Sequence, residues 1–324
     1  MESVNPLKIK CAGGAAAQTL ALMNAIYVTQ GSNREFTFEF YPYGTGTYWP
    51  FEILPALNSR EIGNIATLSR GHSNSQESLK VGEIIQSHPI NSKRMSLEKF
   101  YVFLRKSKID HLLLALKKEI AINGSAIKLE KVSNATQTIS GGYLPILDNT
   151  LFESLDKRFK QGGLVSPFGK TKVDDADYKV VIHYRIGDKR AKFKNPGVVG
   201  DDGILDPKVI RQLIEKLHLL DSRIMVVSDE PELAKQLLSE VGLSVDIQPR
   251  RNNIWVDIDT MAKAKTFIGT WSQVSQLASV CVINRGGIAY LPSNTKGKNR
   301  LKWKTDGVEF YAPEFLGPDH YIYF

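Results

Sequence analysis

In the second half of the chain, hydrophobic and polar positions switch regularly between a period of two and a period near three and a half. Residues 179–184, Lys-Val-Val-Ile-His-Tyr, form a short β-branched and apolar run bounded by charge, the pattern of a strand buried on both faces. Beyond it the pattern predicts a helix over 207–220, a strand over 223–229, a helix over 231–241 and a short strand over 244–247. A helix over 257–264, a strand over 266–269, a helix over 272–280 and a strand near Val282 complete the series. Such alternation predicts a doubly wound parallel sheet. Its strand ends would line one crevice and gather His183, Arg185, Ser228, Asp229, Thr270, Trp271 and Ser272. A planar guanidinium at a strand end suits a phosphate or carboxylate; the plainer alternative is a structural ion pair for Arg185 and a core position for His183.

The first half is less regular. Residues 7–12 alternate as a strand, Gly13-Gly14 breaks it, and residues 15–30 have the Ala, Leu and Met content of a buried helix. A strand, a double glycine and a helix N-terminus can cradle an anion, although a tight turn also needs glycines for steric reasons alone. A second strand is expected over 34–41, where Phe36, Phe38 and Phe40 alternate with polar residues. The aromatic and glycine loop 42–50 either stacks on sugar rings or packs on its own rings as an Ω-loop. Residues 60–95 read as loops with at most one short helix, residues 96–120 as a helix, and residues 160–169 as an interdomain linker. The expected domains are therefore 1–165 and 166–324.

Composition narrows the function classes. A length of 324 residues with 42% apolar and 23% charged content fits a globular protein of two domains. The N-terminal residues lack the order of a signal peptide and no apolar run is long enough to span a bilayer, so a cytoplasmic location is expected. Cys11 and Cys281 sit in apolar contexts and read as inert core thiols. The net charge of +8 comes without any nucleic-acid motif, which argues against a nucleic-acid partner. It fits peripheral contact with an anionic membrane surface through Lys189, Arg190, Lys192 and Lys194, and through Lys296, Lys298, Arg300, Lys302 and Lys304. Neither a Walker nor a dinucleotide glycine pattern is present, which argues against kinases and dehydrogenases. Asp257-Ile258-Asp259 matches the Asp-x-Asp pattern that holds a divalent ion, yet it also opens a predicted helix, where Asp is favoured as a cap and by the dipole. Glu39, Glu52 and Asp188 are the candidate general bases.

Four short motifs in order resemble the fucosyltransferase superfamily. Gly13-Gly14-Ala15-Ala16-Ala17-Gln18 resembles its Gly-Gly-Leu-Gly-Asn-Gln opening, with Ala16 and Ala17 in place of the third Gly and the Asn. His183-Tyr184-Arg185-Ile186-Gly187-Asp188 is similar to its His-x-Arg-Arg/Leu-Gly-Asp motif. Val226-Val227-Ser228-Asp229 resembles the second motif, and the stretch from Asp257 through Thr270-Trp271-Ser272-Gln273-Val274 resembles the third.

The resemblance implies an α/β fold of the GT-B type: two facing Rossmann-like domains with doubly wound parallel sheets, an acceptor-side one and a C-terminal one holding a nucleotide sugar. It implies transfer of fucose from GDP-fucose, with inversion and no required metal, onto a glycan or lipid-linked saccharide of a surface polysaccharide. On that basis Arg185 neutralises the leaving diphosphate, His183 touches the donor, and Asp257 accepts from the guanine edge. Thr270, Trp271, Ser272 and Gln273 would serve the phosphates together with Ser228 and Asp229, and Gly13, Gly14 and Gln18 would approach the donor. Asp188 and Glu39 complete the expected catalytic set. A second class stays open, a carbohydrate- or nucleotide-sugar-binding protein of the same fold without turnover, as does a transferase that uses another nucleotide sugar.

Overall fold

The structure, a computed structural model, describes residues 7–11, 14–29, 35–40, 52–65, 119–122, 125–128, 137–139, 142–144, 149–169, 178–187, 203–249, 251, 253–270, 272–292, 301–305, 308–313 and 315–317. It divides into two compact units, Met1–Ala135 and Thr136–Phe324.

In the first unit, strand β1 (Leu7–Cys11) leads into helix α1 (Ala15–Thr29), followed by β2 (Phe36–Phe40), β3 (Ile62–Ile65) and the pair β4 (Glu119–Ile122) and β5 (Ser125–Lys128). The sheet order is β3-β2-β1-β5-β4, parallel from β3 to β1 and extended by an antiparallel hairpin. Ala15, Ala16, Ala17, Leu20, Ala21, Leu22, Met23 and Ala25 are all buried, so α1 is enclosed on several sides, as its small apolar residues allow. Strand β3 lies where the sequence suggested loops. Gly63 explains its path: a Cβ there would stand 2.9 Å from the Phe38 carbonyl oxygen, and the β2–β3 register shifts at this point. The helix expected over 96–120 falls outside the described residues, except that Glu119 and Ile120 belong to β4. The Asn123-Gly124 pair between β4 and β5 is a strong hairpin signal that helical spacing upstream obscured. The aromatic loop 42–50 and the basic loop 189–194 also fall outside the described residues.

The second unit opens with the hairpin β6 (Gln137–Ile139) and β7 (Gly142–Leu144) and helix α2 (Asn149–Gln161). It continues through β8 (Val180–Tyr184), β9 (Ile204–Leu205), α3 (Pro207–Lys216), β10 (Ile224–Ser228), α4 (Pro231–Glu240) and β11 (Asp246–Ile247). The last elements are α5 (Ile254–Ala262), β12 (Thr266–Ile268), α6 (Gln273–Asn284), β13 (Ile288–Pro292), β14 (Leu301–Thr305), β15 (Val308–Ala312) and β16 (Phe315–Leu316). The main sheet runs β11-β10-β8-β12-β13-β16, its first five strands parallel and β16 antiparallel. Strands β14, β15 and β9 form a separate sheet.

Every residue of β8 is buried, which requires cover on both faces. Val180, Ile182 and Tyr184 join one apolar cluster with Ile210 and Ile214 of α3 and Ala234 and Leu238 of α4. The alternate residues face the other way, where α5 packs on β8 and α6 on β13. The α/β class and the doubly wound sheet expected from the sequence are thus present in this unit.

The structure departs from the sequence reading in three places here. Residues 160–169 are no linker. Phe168 is buried with its ring 5.0 Å from that of Phe159, which in turn meets Trp255 of α5 edge-on at 4.8 Å. The Arg285 Nε–H donates to the Gly169 carbonyl over 2.9 Å. The unit therefore begins before α2, ahead of the expected boundary at 165/166. Next, α5 starts earlier than expected because Asn253 caps it, its side chain accepting the Trp255 N–H at 3.0 Å. Finally, no strand lies at Val282. The apolar run Val280-Cys281-Val282 is the buried end of α6, and the strand follows at β13, after Gly286 at φ +85° and after Gly287, where a Cβ would stand 2.5 Å from the Ala264 carbonyl oxygen. Among the described residues no helix is long and apolar enough to cross a membrane.

Candidate functional site

The order of the main sheet locates its crevice. From β8 the chain moves outward through β10 to β11, then returns to the far side of β8 for β12 and β13. The direction reverses between β8 and β12, and in open α/β sheets ligands bind outside the carboxyl ends of the strands at such a switch.

The backbone leaving β8 is held from both sides. On the β10 side, the Ser228 hydroxyl donates to the Tyr184 carbonyl at 2.6 Å and accepts the Glu230 N–H at 3.1 Å. The Asp229 carboxylate accepts the Ile186 N–H at 2.8 Å and the Gly187 N–H at 3.1 Å. Gly187 fits this turn closely, since a Cβ there would stand 3.1 Å from Asp229 Oδ2 and 3.3 Å from Glu230 Cγ. On the β12 side, the Arg185 N–H donates to Thr270 Oγ1 at 3.3 Å. The half-buried Arg185 thus sits on a turn fixed by charge-assisted and neutral hydrogen bonds.

Where β12 passes into α6, serines do most of the work. Ser272 caps the helix, its hydroxyl accepting the Ser275 N–H at 3.0 Å. Ser275 Oγ accepts the Thr270 N–H at 3.0 Å and lies 2.6 Å from Nδ1 of His183, with Ser272 Oγ at 3.5 Å from the same nitrogen. The ring of His183, itself buried, is therefore oriented by α6. Gly269 permits this contact: a Cβ would stand 2.5 Å from Leu291 Cδ2 and 2.8 Å from Ser275 Cβ. Ser275 escaped the sequence reading, although a serine three positions after a helix-capping serine is a visible signal.

Asp257 lies in the first turn of α5, half-buried, and its carboxyl is raised above the ordinary value by burial, partly offset by the Gln248 amide and by Arg251. Gln248 Nε2 donates to its Oδ1 at 2.5 Å. Asp259, two residues on, turns elsewhere: it receives Lys263 at 2.7 Å and the buried Arg285 guanidinium at 2.9 Å. The two carboxylates are thus engaged by different partners. Among the described residues no cluster of His, Cys, Asp or Glu could hold a metal ion.

In the first unit, the buried Gln18 accepts the Ile53 N–H through Oε1 at 3.4 Å, and its own N–H donates to the Gly14 carbonyl at 3.1 Å. Glu52 accepts the Ala15 N–H at the start of α1, and burial raises its carboxyl above the usual range. Gly13, Asp188 and Trp271 fall outside the described residues, as does the side chain of Glu39, whose backbone pairs with Lys10. The structure thus brings together His183, Arg185, Ser228, Asp229, Thr270 and Ser272. Gln273 is the first residue of α6, and Asp257 lies in the first turn of α5, the helix that follows β11.

No protein-family model matches the sequence, and no curated protein matches it. Among solved structures, the chain is similar to POFUT1 in complex with GDP-fucose at 14% identity and a TM-score of 0.23, over 33% of this chain and 38% of that one. It is similar to a glycosyl transferase of family 9 from Veillonella parvula at 10% identity and a TM-score of 0.38, over 86% and 78% of the two chains. It is also similar to the E. coli heptosyltransferase WaaC with ADP-2-deoxy-2-fluoro heptose, at 14% identity and a TM-score of 0.34 over 92% and 94%.

Proposed function

We propose that this protein is a glycosyltransferase of GT-B type whose second unit holds the diphosphate of a nucleotide sugar at the β8/β12 switch. The observation that carries the reading is the meeting of His183, Arg185, Thr270 and the Ser272-capped start of α6 at that one strand end. The motif resemblance supports GDP-fucose as donor, an inverting reaction and a saccharide acceptor of a surface polysaccharide. A membrane-bound acceptor would suit the charge of +8.

In this reading the acceptor oxygen attacks the anomeric carbon, the bond to the diphosphate oxygen breaks, and GDP departs with both electrons. Negative charge grows on the diphosphate, and Arg185 opposes it from a turn that need not reorganise, an effect typically near 3 kcal/mol for one preorganised donor. The amide protons at the start of α6 add to the same field, so the leaving group needs no metal in this scheme. The acceptor proton passes to a carboxylate, for which Asp188 and Glu39 are the proposed candidates. Asp257, kept half-buried beyond β11, would read the base.

The test is a thermal shift with GDP, UDP, CMP and ADP on the wild type and on Arg185→Ala. Ligand at about 100 times its dissociation constant adds roughly 2.7 kcal/mol. GDP should stabilise the wild type alone, and Arg185→Ala should abolish the shift. Stabilisation by UDP or CMP instead would refute the fucose donor, and no response to any nucleotide would refute the transferase. Binding of GDP-fucose without hydrolysis or transfer over a broad acceptor panel would establish a binding protein in its place.

A further inference from the structure

Gln248 was not singled out by any motif, yet it is only 4% exposed at the carboxyl end of the sheet. Its N–H donates to the Val226 carbonyl at 2.9 Å, which ties the residue after β11 to β10. A carboxylate only accepts, so the amide must present Nε2 to Asp257 and turn its oxygen away. This contact restrains the orientation of the Asp257 carboxylate. Oδ2 takes no part in this contact, and the Arg251 charge also acts on the half-buried carboxylate.

We infer that Gln248 is a positioning residue that makes the donor site select guanine, by holding the Asp257 carboxylate in the orientation that receives two adjacent N–H donors. The inference rests on the donor-site reading above. Of the common nucleobases only guanine presents such a pair on its Watson–Crick edge, N1–H beside N2–H2. Uracil presents one N–H between two carbonyl oxygens, and adenine and cytosine present an amino group beside a ring acceptor. A fixed carboxylate therefore attracts guanine through both oxygens and repels the acceptors of the other bases. Hypoxanthine keeps N1–H and lacks the amino group, so the affinity ratio of GDP to IDP reports the carboxylate orientation directly.

The experiment is isothermal titration of GDP, IDP and ADP into the full chain, as wild type, Gln248→Met and Gln248→Asn, with ligand-free melting to show that each variant is folded. The wild type should prefer GDP to IDP by about tenfold or more, the value of one hydrogen bond to a charged group. Both variants should bring that ratio close to one while leaving ADP binding unchanged, which a merely structural role would not do. A wild type that does not distinguish GDP from IDP overturns the inference even if the variants fail to fold, and so does an unchanged ratio in a folded variant. If GDP and IDP bind with the expected ratio in every variant, the donor site stands and only the role of Gln248 falls. If the wild type binds no nucleotide, the donor-site reading falls and takes the inference with it.

Discussion

Asp229→Ala is the substitution that most directly tests how the β8 turn is built. The carboxylate accepts two backbone N–H groups, from Ile186 at 2.8 Å and Gly187 at 3.1 Å, and removal strands both. Ile186 is fully buried, so its N–H cannot find water and should cost about 1–3 kcal/mol. Gly187 is half-buried and can rehydrate, which brings the expected total to about 2–4 kcal/mol. In a unit of this size, that lowers the melting midpoint by roughly 4–16 °C. Asp229→Asn retains one acceptor but turns an NH2 toward the second N–H, and should fall between the wild type and the alanine variant. Melting followed by circular dichroism gives the stability, and the shift on adding GDP gives the coupling to Arg185. An alanine variant that melts within about 1 °C of the wild type, with an undiminished GDP response, would show that the turn does not depend on this carboxylate.

Three further outcomes follow from the same site and its support. Gly269→Ala places a methyl group 2.5 Å from Leu291 Cδ2 and 2.8 Å from Ser275 Cβ. Overpacking of this kind costs about 1–3 kcal/mol, and by pushing Ser275 away from His183 it should also weaken nucleotide binding, both read in one melting series. Asp257→Asn should raise the melting point at pH 7 more than at pH 4. Burial lifts this carboxyl above the ordinary aspartate value of 3.8, so the folded protein holds the proton more tightly and loses stability as pH rises from 3.8 through the raised pKa, a loss the amide does not share. Cys281, fully buried with its thiol pushed up to about 12 by desolvation, should resist alkylation at pH 8 until denaturant is added. Peptide-resolved mass spectrometry separates it from Cys11, and rapid native labelling of Cys281 would contradict the burial.

The second unit was legible because each strand is a short apolar run and each helix carries an apolar stripe, so period alone separated them. Boundaries slipped where one signal imitated another. Val280-Cys281-Val282 reads as a strand by composition, but it lies within a helix buried all round, and only Gly286-Gly287 marks the true end. Residues 160–169 carry Gly, Ser and Pro as linkers do, while the two rings packed on Phe168 that tie them to α2 lie at 152 and 159, a pairing that no local pattern announces. The hairpin β4–β5 was hidden for the opposite reason, since an apolar helical spacing upstream outweighed the single Asn-Gly pair.

The motif residues divide into two kinds, and the sequence alone could not make the division. Ser228 and Asp229 resemble ligand-binding residues by position, yet their oxygens are engaged with the backbone of 184–187 and of Glu230. Their effect on a ligand passes through Arg185 and the turn that carries it. Ser275 acts in the same way on His183, and Gln248 on Asp257. On the proposed reading the groups that meet a nucleotide are Arg185, the start of α6 and Asp257, each on a different element, with Asp229, Ser272 and Gln248 bonded beside them. On that reading, opposite charges at two positions along the carboxyl end of the sheet would suit a ligand with an anionic centre and a hydrogen-bond-donating end, such as a guanosine diphosphate. A simple phosphate or a neutral sugar would use only one of the two positions. Nucleotides that differ only in the base should therefore separate at Asp257, and variants of Arg185 should weaken all of them alike.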